Sequence, residues 1–140
     1  MPIFAESAGM DYLTQNMILK DKTGTVQTFK MAGVFDCDTV FGGGKRVVSY
    51  TSGVFETDTP IGKKGNTFLA HEFHHSHLEN ISEEAAYAIS LTRGAGIQNQ
   101  KDGMMVRNTI GTYTHFHGAS YREFAEDFVK SARAYQKKRK

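Results

Sequence analysis

Pro2-Ile3-Phe4-Ala5-Glu6-Ser7-Ala8-Gly9-Met10-Asp11-Tyr12-Leu13 is the stretch from which the rest of the chain is read. Pro2 to Ala5 is short and apolar, as a buried strand is. Met10, Tyr12, Leu13 and Met17 then fall at helical spacing, which predicts a short helix from Asp11 to Lys20. Ala5 and Gly9 stand two residues to either side of Ser7. A strand, a tight turn bearing a nucleophile and a helix together make a nucleophile elbow. The flanks of such a turn must be small because the neighbouring backbone runs close by. The Ser7 hydroxyl would then project at the C-terminal edge of a sheet, with the amides of Ala8 and Gly9 turned toward developing negative charge. Small-x-Ser-x-Gly also fits an ordinary strand-to-helix turn.

The chain has 140 residues, 39% of them hydrophobic and 23% charged, with a net charge of +2. Those values describe a single soluble domain, 1–140, large enough to bury a core. The small net charge gives no field that would favour nucleic acid. The basic cluster Lys137-Lys138-Arg139-Lys140 reads as a solvated tail. No apolar run approaches the length of a membrane span, and no leader pattern is present. Cys37 is the only cysteine, so no disulfide within the chain is possible, which suits a cytoplasmic setting.

Beyond the elbow, Asp21-Lys22-Thr23-Gly24-Thr25 has turn chemistry, and Val26 to Phe35 reads as extended. Asp36 to Thr39 reads as a turn or strand end. Gly42-Gly43-Gly44 lacks the spacing of a phosphate-binding loop, since Thr39 stands at the first glycine position and Arg46 follows Lys45. It predicts a mobile connection. Arg46 to Phe55 alternates and is rich in Val, Tyr and Thr, as a strand should be. Thr57 to Gly65 is a loop. Asn66 to His75 is either extended or helical. Ser82 to Ile89 could open a helix, or Tyr87 to Thr92 could form a strand. Gly94 to Gly103 reads as a loop with a hairpin turn at Asp102-Gly103. Met104 to Ile110 and Gly111 to His115 are extended. Ser120 is placed to cap a helix from Tyr121 to about Gln136, with Phe124, Phe128, Ala132 and Tyr135 on its apolar face.

Four stretches, in order, resemble one known family. Pro2 to Met10 is similar to the elbow of the class I glutamine amidotransferase domain of cobyrinic acid a,c-diamide synthases, where cysteine stands at the position of Ser7. Met31-Ala32-Gly33-Val34 resembles that family's Met-Ala-Gly segment. Ala70-His71-Glu72-Phe73-His74-His75-Ser76 resembles its Gly-His-Glu-Phe-His-Tyr-Ser. Thr112 to Ser120 resembles its Ser-Tyr-Thr-His-Leu-His-Phe-Ala-Ser. The resemblance favours a strand at Tyr87 to Thr92. It implies an α/β fold, part of a flavodoxin-like class I glutamine amidotransferase domain, strand-rich after the elbow and ending in a helix.

The resemblance also implies roles. Ser7 stands at the nucleophile position and His115 at that of the base. The amides of Ala8 and Gly9 would bind the oxyanion. His71, Glu72, Phe73 and His74 would hold glutamine. His117 falls where other class I amidotransferases carry the carboxylate that orients the histidine; the cobalamin branch typically lacks it. Family members use glutamine to supply ammonia for tetrapyrrole amidation. Their ATP and magnesium belong to a synthetase domain, so no cofactor and no metal are expected in this chain. The first half of the glutaminase domain and the synthetase domain precede the elbow in the family. Their absence implies self-association or a partner chain supplying them. A serine hydroxyl is nucleophilic only beside a well-placed base, whereas a cysteine thiolate is accessible near neutral pH. The chain is therefore expected to be a truncated, catalytically degenerate glutaminase domain. The alternative is a binding domain that uses the histidine-rich pocket for a small ligand or metal.

His71-Glu72-Phe73-His74-His75 also fits H-E-x-x-H, which on a helix would set two histidines on one face for zinc. No third ligand stands at a suitable spacing, and the family segment it resembles is extended and binds no metal. Cys37 reads as a buried, unreactive thiol.

Overall fold

The computed structural model describes residues 1–42, 44 and 46–139. β1 (Ile3–Glu6) runs into a single residue, Ser7, and then into α1 (Ala8–Tyr12). The helix expected from Asp11 to Lys20 stops early. Leu13 N–H bonds the Met10 carbonyl, the Thr14 hydroxyl donates to the Asp11 carbonyl at 2.8 Å, and Gln15 N–H is drawn away to the Cys37 carbonyl. Asn16–Lys20 is instead β2. It lies between two other strands, so tertiary pairing overrides the helical spacing of Met17. Asp21 makes the expected turn by accepting the amides of Thr23 and Thr25, and leads into β3 (Val26–Lys30).

The remaining elements are β4 (Asp38–Phe41), β5 (Val47–Phe55), β6 (Thr67–His74), β7 (Ser76–Glu79), β8 (Ala86–Arg93), β9 (Lys101–Val106), β10 (Thr109–Thr112), β11 (Thr114–His115) and α2 (Glu123–Lys138). The helix considered for Ser82 to Ile89 is absent and the strand reading holds. The mobile connection expected at Gly42-Gly43-Gly44 includes Gly43, which lies outside the described residues. The hairpin turn expected at Asp102-Gly103 falls inside β9. Asp102 is buried there, and the turn comes at Arg107-Asn108, with Arg107 at φ 55°. Ser120 does not cap α2. Its amide closes a turn on the His117 carbonyl, and Arg122 precedes the helix without a side-chain cap. None of the helices is long and apolar enough to cross a membrane among the described residues.

Seven strands form one sheet in the order β1-β10-β9-β8-β5-β6-β11, and four form a second in the order β3-β2-β4-β7. Among the described residues only β1–β10 and β2–β4 are parallel. β10 and β11 are one run of chain interrupted at Tyr113, yet β10 pairs near one end of the large sheet and β11 pairs at the other. The sheet therefore curls until its ends approach. β6 continues through His75 into β7 and so joins the two sheets. The outer edge of β1 carries no partner strand among the described residues. The result is a mixed α/β, strand-rich domain with a C-terminal helix.

Two apolar cores hold it. One gathers Phe55, Ile61, Phe68, Ala88, Ile89, Leu91, Ile110 and Tyr121, with Phe4, Phe116, Phe124 and Phe128 packed against them. Its aromatic rings meet edge to face, Phe68 on Phe116 at 4.9 Å and Phe4 on Phe124 at 5.0 Å. Phe124 and Phe128 are thus the part of α2 that docks. The other core packs Ala5, Met10, Phe35, Cys37, Leu78, Met104 and Tyr113. Gly111 lies over it, where a Cβ would come within 2.6 Å of Phe35 and 2.7 Å of Met10. Its bareness lets α1 lie close beside β10.

Candidate functional site

The turn at Ser7 is a strained point of the chain with a clear structural cause. Ser7 has φ 49° and ψ −113°, a conformation that an L side chain rarely adopts. Such a residue costs roughly 1–3 kcal/mol and persists only where its surroundings over-determine it. Here Ser7 N–H is held by the Thr112 carbonyl at 2.8 Å, and the Ser7 carbonyl is held by Asp11 N–H at 3.0 Å. Ala5 and Gly9 meet across the turn, with a Cβ on Gly9 falling 3.7 Å from that of Ala5. The Ser7 hydroxyl does not cap α1. The amides of Ala8 and Gly9 stand in the first turn of α1, where no intrahelical acceptor exists.

Register carries His115 to the same region. Glu6 pairs with Thr112 across β1 and β10, and the chain then needs three residues to reach His115. His115 pairs with His71 on β6, and their rings stack at 4.9 Å and 14°. The His115 Nδ1 atom is buried and has no hydrogen-bond partner among the described residues. Phe116 N–H, the next amide, donates to the Glu6 carboxylate at 3.2 Å. Among the described residues Ser7 Oγ and His115 make no hydrogen bond. Asp102, which sequence reasoning placed in a turn, anchors the approach to His115. Its carboxylate accepts the amides of Tyr113 at 3.1 Å, Thr114 at 2.8 Å and Gly103 at 2.8 Å. Burial raises its pKa, and these hydrogen bonds oppose the rise.

The strand alternation of β6 divides the residues around His71 into two sets. His71 and Phe73 face outward and line an open groove of about 650 Å³ with Val48, Tyr50 and Arg93. The Arg93 guanidinium lies 5.7 Å above the Tyr50 ring. Glu72 turns inward, 1% exposed, and accepts the amides of Ala95 at 2.7 Å and Gly96 at 3.0 Å. Burial alone would raise the Glu72 carboxyl, but the nearby His74 ring and these two amides outweigh it and hold it below its usual range. His74 is also inward. Its Nδ1–H donates to the Ser76 carbonyl at 2.8 Å, and its ring stacks on Tyr113 at 3.7 Å. His117 is exposed, and its Nδ1 accepts the Ala119 amide at 3.2 Å within its own turn.

The helix required by the zinc alternative is absent, because His71 lies in a strand. Residues four apart along an extended chain are about 13 Å apart, too far to share one ion. No group of three His, Cys, Asp or Glu side chains is placed to hold a metal among the described residues. Cys37 is 1% exposed in the second core, and burial together with the charges of Asp38, Asp36 and Asp11 pushes its thiol up to about 12.

Asp11 is a further residue that sequence reasoning missed. It is 2% exposed and accepts the hydroxyls of Ser76 at 3.0 Å, Thr39 at 3.2 Å and Tyr113 at 3.5 Å. It ties the elbow to β4, β7 and the segment before His115. The signal was an aspartate set inside the apolar run Met10-Asp11-Tyr12. Burial pushes its pKa up, and the hydroxyls and the nearby His74 oppose this.

The chain matches the CobB/CobQ-like glutamine amidotransferase domain over residues 1–123. A cobyrinate a,c-diamide synthase of Methanosarcina barkeri is 42% identical over 147 aligned positions, covering 99% of this chain and 30% of that protein. The one from Methanosarcina acetivorans is 42% identical over 99% of this chain and 29% of its own length. That of Methanosphaera stadtmanae is 34% identical over 94% of this chain and 27% of its own. The chain thus spans less than a third of the length of these relatives.

Glycine tolerates the Ser7 conformation without strain, so Ser7→Gly should raise stability by about 1 kcal/mol while Ser7→Ala leaves it nearly unchanged. Urea unfolding of the three proteins measures this. A second expectation follows from Asp11, whose folded pKa lies above its unfolded value. The stability it contributes is complete below about 3.9, the usual unfolded value, and is lost as pH rises through the folded pKa. Asp11→Asn should therefore lack this loss, and its stability relative to wild type should climb across that window. Parallel urea curves from pH 3 to 7 would show a flat difference if Asp11 were not strained by burial.

Proposed function

Because the chain belongs to the CobB/CobQ-like glutamine amidotransferase domain family, we propose that it is the glutaminase-type portion of a tetrapyrrole-amidating system, with glutamine hydrolysis lost or severely slowed. The observation that carries this reading is Ser7 itself. It occupies a positive-φ elbow at the sheet edge shared with His115, and it presents a hydroxyl there.

In a working site the nucleophile attacks the side-chain carboxamide of glutamine. The base takes its proton and delivers it to the leaving nitrogen, ammonia departs, and water cleaves the acyl-enzyme. Ser7 would be the nucleophile, His115 the base, and the amides of Ala8 and Gly9 the oxyanion donors. The groove beside His71 and Phe73 would receive the rest of the glutamine; Glu72 and His74 would support it from behind the strand. Two features weigh against turnover. A hydroxyl is far less acidic than a thiol and depends on its base, yet Ser7 Oγ makes no hydrogen bond to His115 among the described residues. The buried Nδ1 of His115 also has no hydrogen-bond partner among the described residues to fix its tautomer.

ATP and magnesium would act on polypeptide outside these 140 residues, in a cytoplasmic setting. That polypeptide, or a second copy, would complete the sheet along the open edge of β1. The second reading, a binding domain for a small ligand, is supported by the groove that Arg93, Tyr50 and Phe73 form.

Ammonia release from glutamine decides between activity and its loss. The chain should be indistinguishable from Ser7→Ala, and Ser7→Cys should gain little. A wild-type rate clearly above that of Ser7→Ala would restore Ser7 as a working nucleophile. Saturable glutamine binding without release would favour the binding domain.

A further inference from the structure

An imidazole that acts as base must be held in one orientation and tautomer, and His115 lacks the usual carboxylate for this. From β6, His71 stacks flat on its ring and offers no anion. Glu72, opposite Thr114, has both oxygens bound by the amides of Ala95 and Gly96. From β9, Asp102 has its oxygens bound by the amides of Gly103, Tyr113 and Thr114. His117, two residues on, is held by Ala119. From β1, Glu6 is engaged only through Oε2, by Phe116 N–H at 3.2 Å. Its other oxygen makes no hydrogen bond among the described residues.

Glu6 is also in the right place. Phe116 N is one bond from the His115 carbonyl carbon, so the carboxylate lies within a side chain's length of the imidazole. Alternation along β1 puts Glu6 on the face of Phe4, whose ring meets that of Phe116 at 6.2 Å. His115 Nδ1, in the residue next to Phe116, is buried and without a partner among the described residues. No Glu6–His115 ion pair is formed within 4 Å among the described residues. The terminal torsion of a glutamate is soft, so bringing the free oxygen to the orphaned nitrogen calls for a rearrangement of the Glu6 side chain or a bridging water rather than a change of fold.

We propose that Glu6 is the positioning carboxylate of His115, holding Nδ1 protonated so that Nε2 is the free base. The residue before the nucleophile then does what the position of His117 does elsewhere. This rests on the reading of His115 as the base, but its test needs no turnover.

The test is NMR titration of the histidine rings at low ionic strength, with His115 assigned through His115→Gln. Glu6→Gln keeps an acceptor for Phe116 N–H and removes only the charge. It should lower the His115 midpoint by about 0.5 unit or more, as loss of a nearby anion does, and leave His77 and His117 unmoved. An unchanged His115 midpoint would overturn the proposal, since a merely structural hydrogen bond survives in the variant. Should Glu6→Gln fail to fold, the wild-type chain still decides. Long-range nitrogen–proton spectra of neutral His115 should show the Nδ1–H tautomer, and the Nε2–H form would refute the proposal. Failure here leaves the glutaminase-type reading intact, and absence of ammonia release leaves this proposal intact.

Discussion

The parallel pairing of β1 with β10, extended by the hydrogen bond from Ser7 N–H to the Thr112 carbonyl, is the constraint on which the rest depends. It fixes the register Glu6 to Thr112, and so brings the turn after β1 and the run toward His115 to one edge. A slip of one residue would exchange the faces of Ala5 and Glu6. Ala5 would leave the core it shares with Met10 and Tyr113, and the Glu6 carboxylate would leave Phe116. The same bond, with Asp11 N–H on the Ser7 carbonyl, keeps a non-glycine residue at positive φ. The strain at Ser7 is thereby paid for by the sheet around it.

Three buried carboxylates make that geometry rigid. Asp102 fixes the segment before His115, Glu72 fixes the chain at Ala95 and Gly96, and Asp11 joins the elbow to the second sheet. Asp102 is satisfied by amides and Asp11 by hydroxyls, and the His74 ring lies near both Asp11 and Glu72, 3.9 Å from the latter. An unsatisfied buried carboxylate is costly, so each site demands its donors and orders the backbone that carries them. A stiff scaffold of this kind holds the Ser7 turn and the His115 segment in place whatever side chain stands at the turn. It cannot make a hydroxyl as reactive as a thiol. Family membership and a weakened reaction are therefore compatible in this chain.

The elbow was legible because its requirements are local: small flanks, a polar residue at the turn and an apolar strand before it. The alternating strand at Val47–Phe55 and the helix carrying Phe124 and Phe128 were legible for the same reason. β2 was not, since its partners lie elsewhere in the chain and its apolar residues also suit a helix. Asp102-Gly103 has the composition of a turn. Only the folded chain shows its carboxylate gathering three amides from two segments. At the site, His71 and Phe73 could be read from a motif. That Glu72 and His74 face the opposite way follows from β6 being a strand, which the sequence left open between two conformations.

Register brings the elbow and the His115 segment to one edge. Cross-relaxation between the Phe116 amide proton and the Glu6 side-chain protons, measured in the full chain, tests it most directly. The fold described here predicts a clear cross-peak, together with a Ser7 amide protected from exchange by the Thr112 carbonyl. A Phe116 amide with no contact to Glu6, beside a freely exchanging Ser7 amide, would mean that β1 pairs elsewhere and that Ser7 and His115 do not share a site.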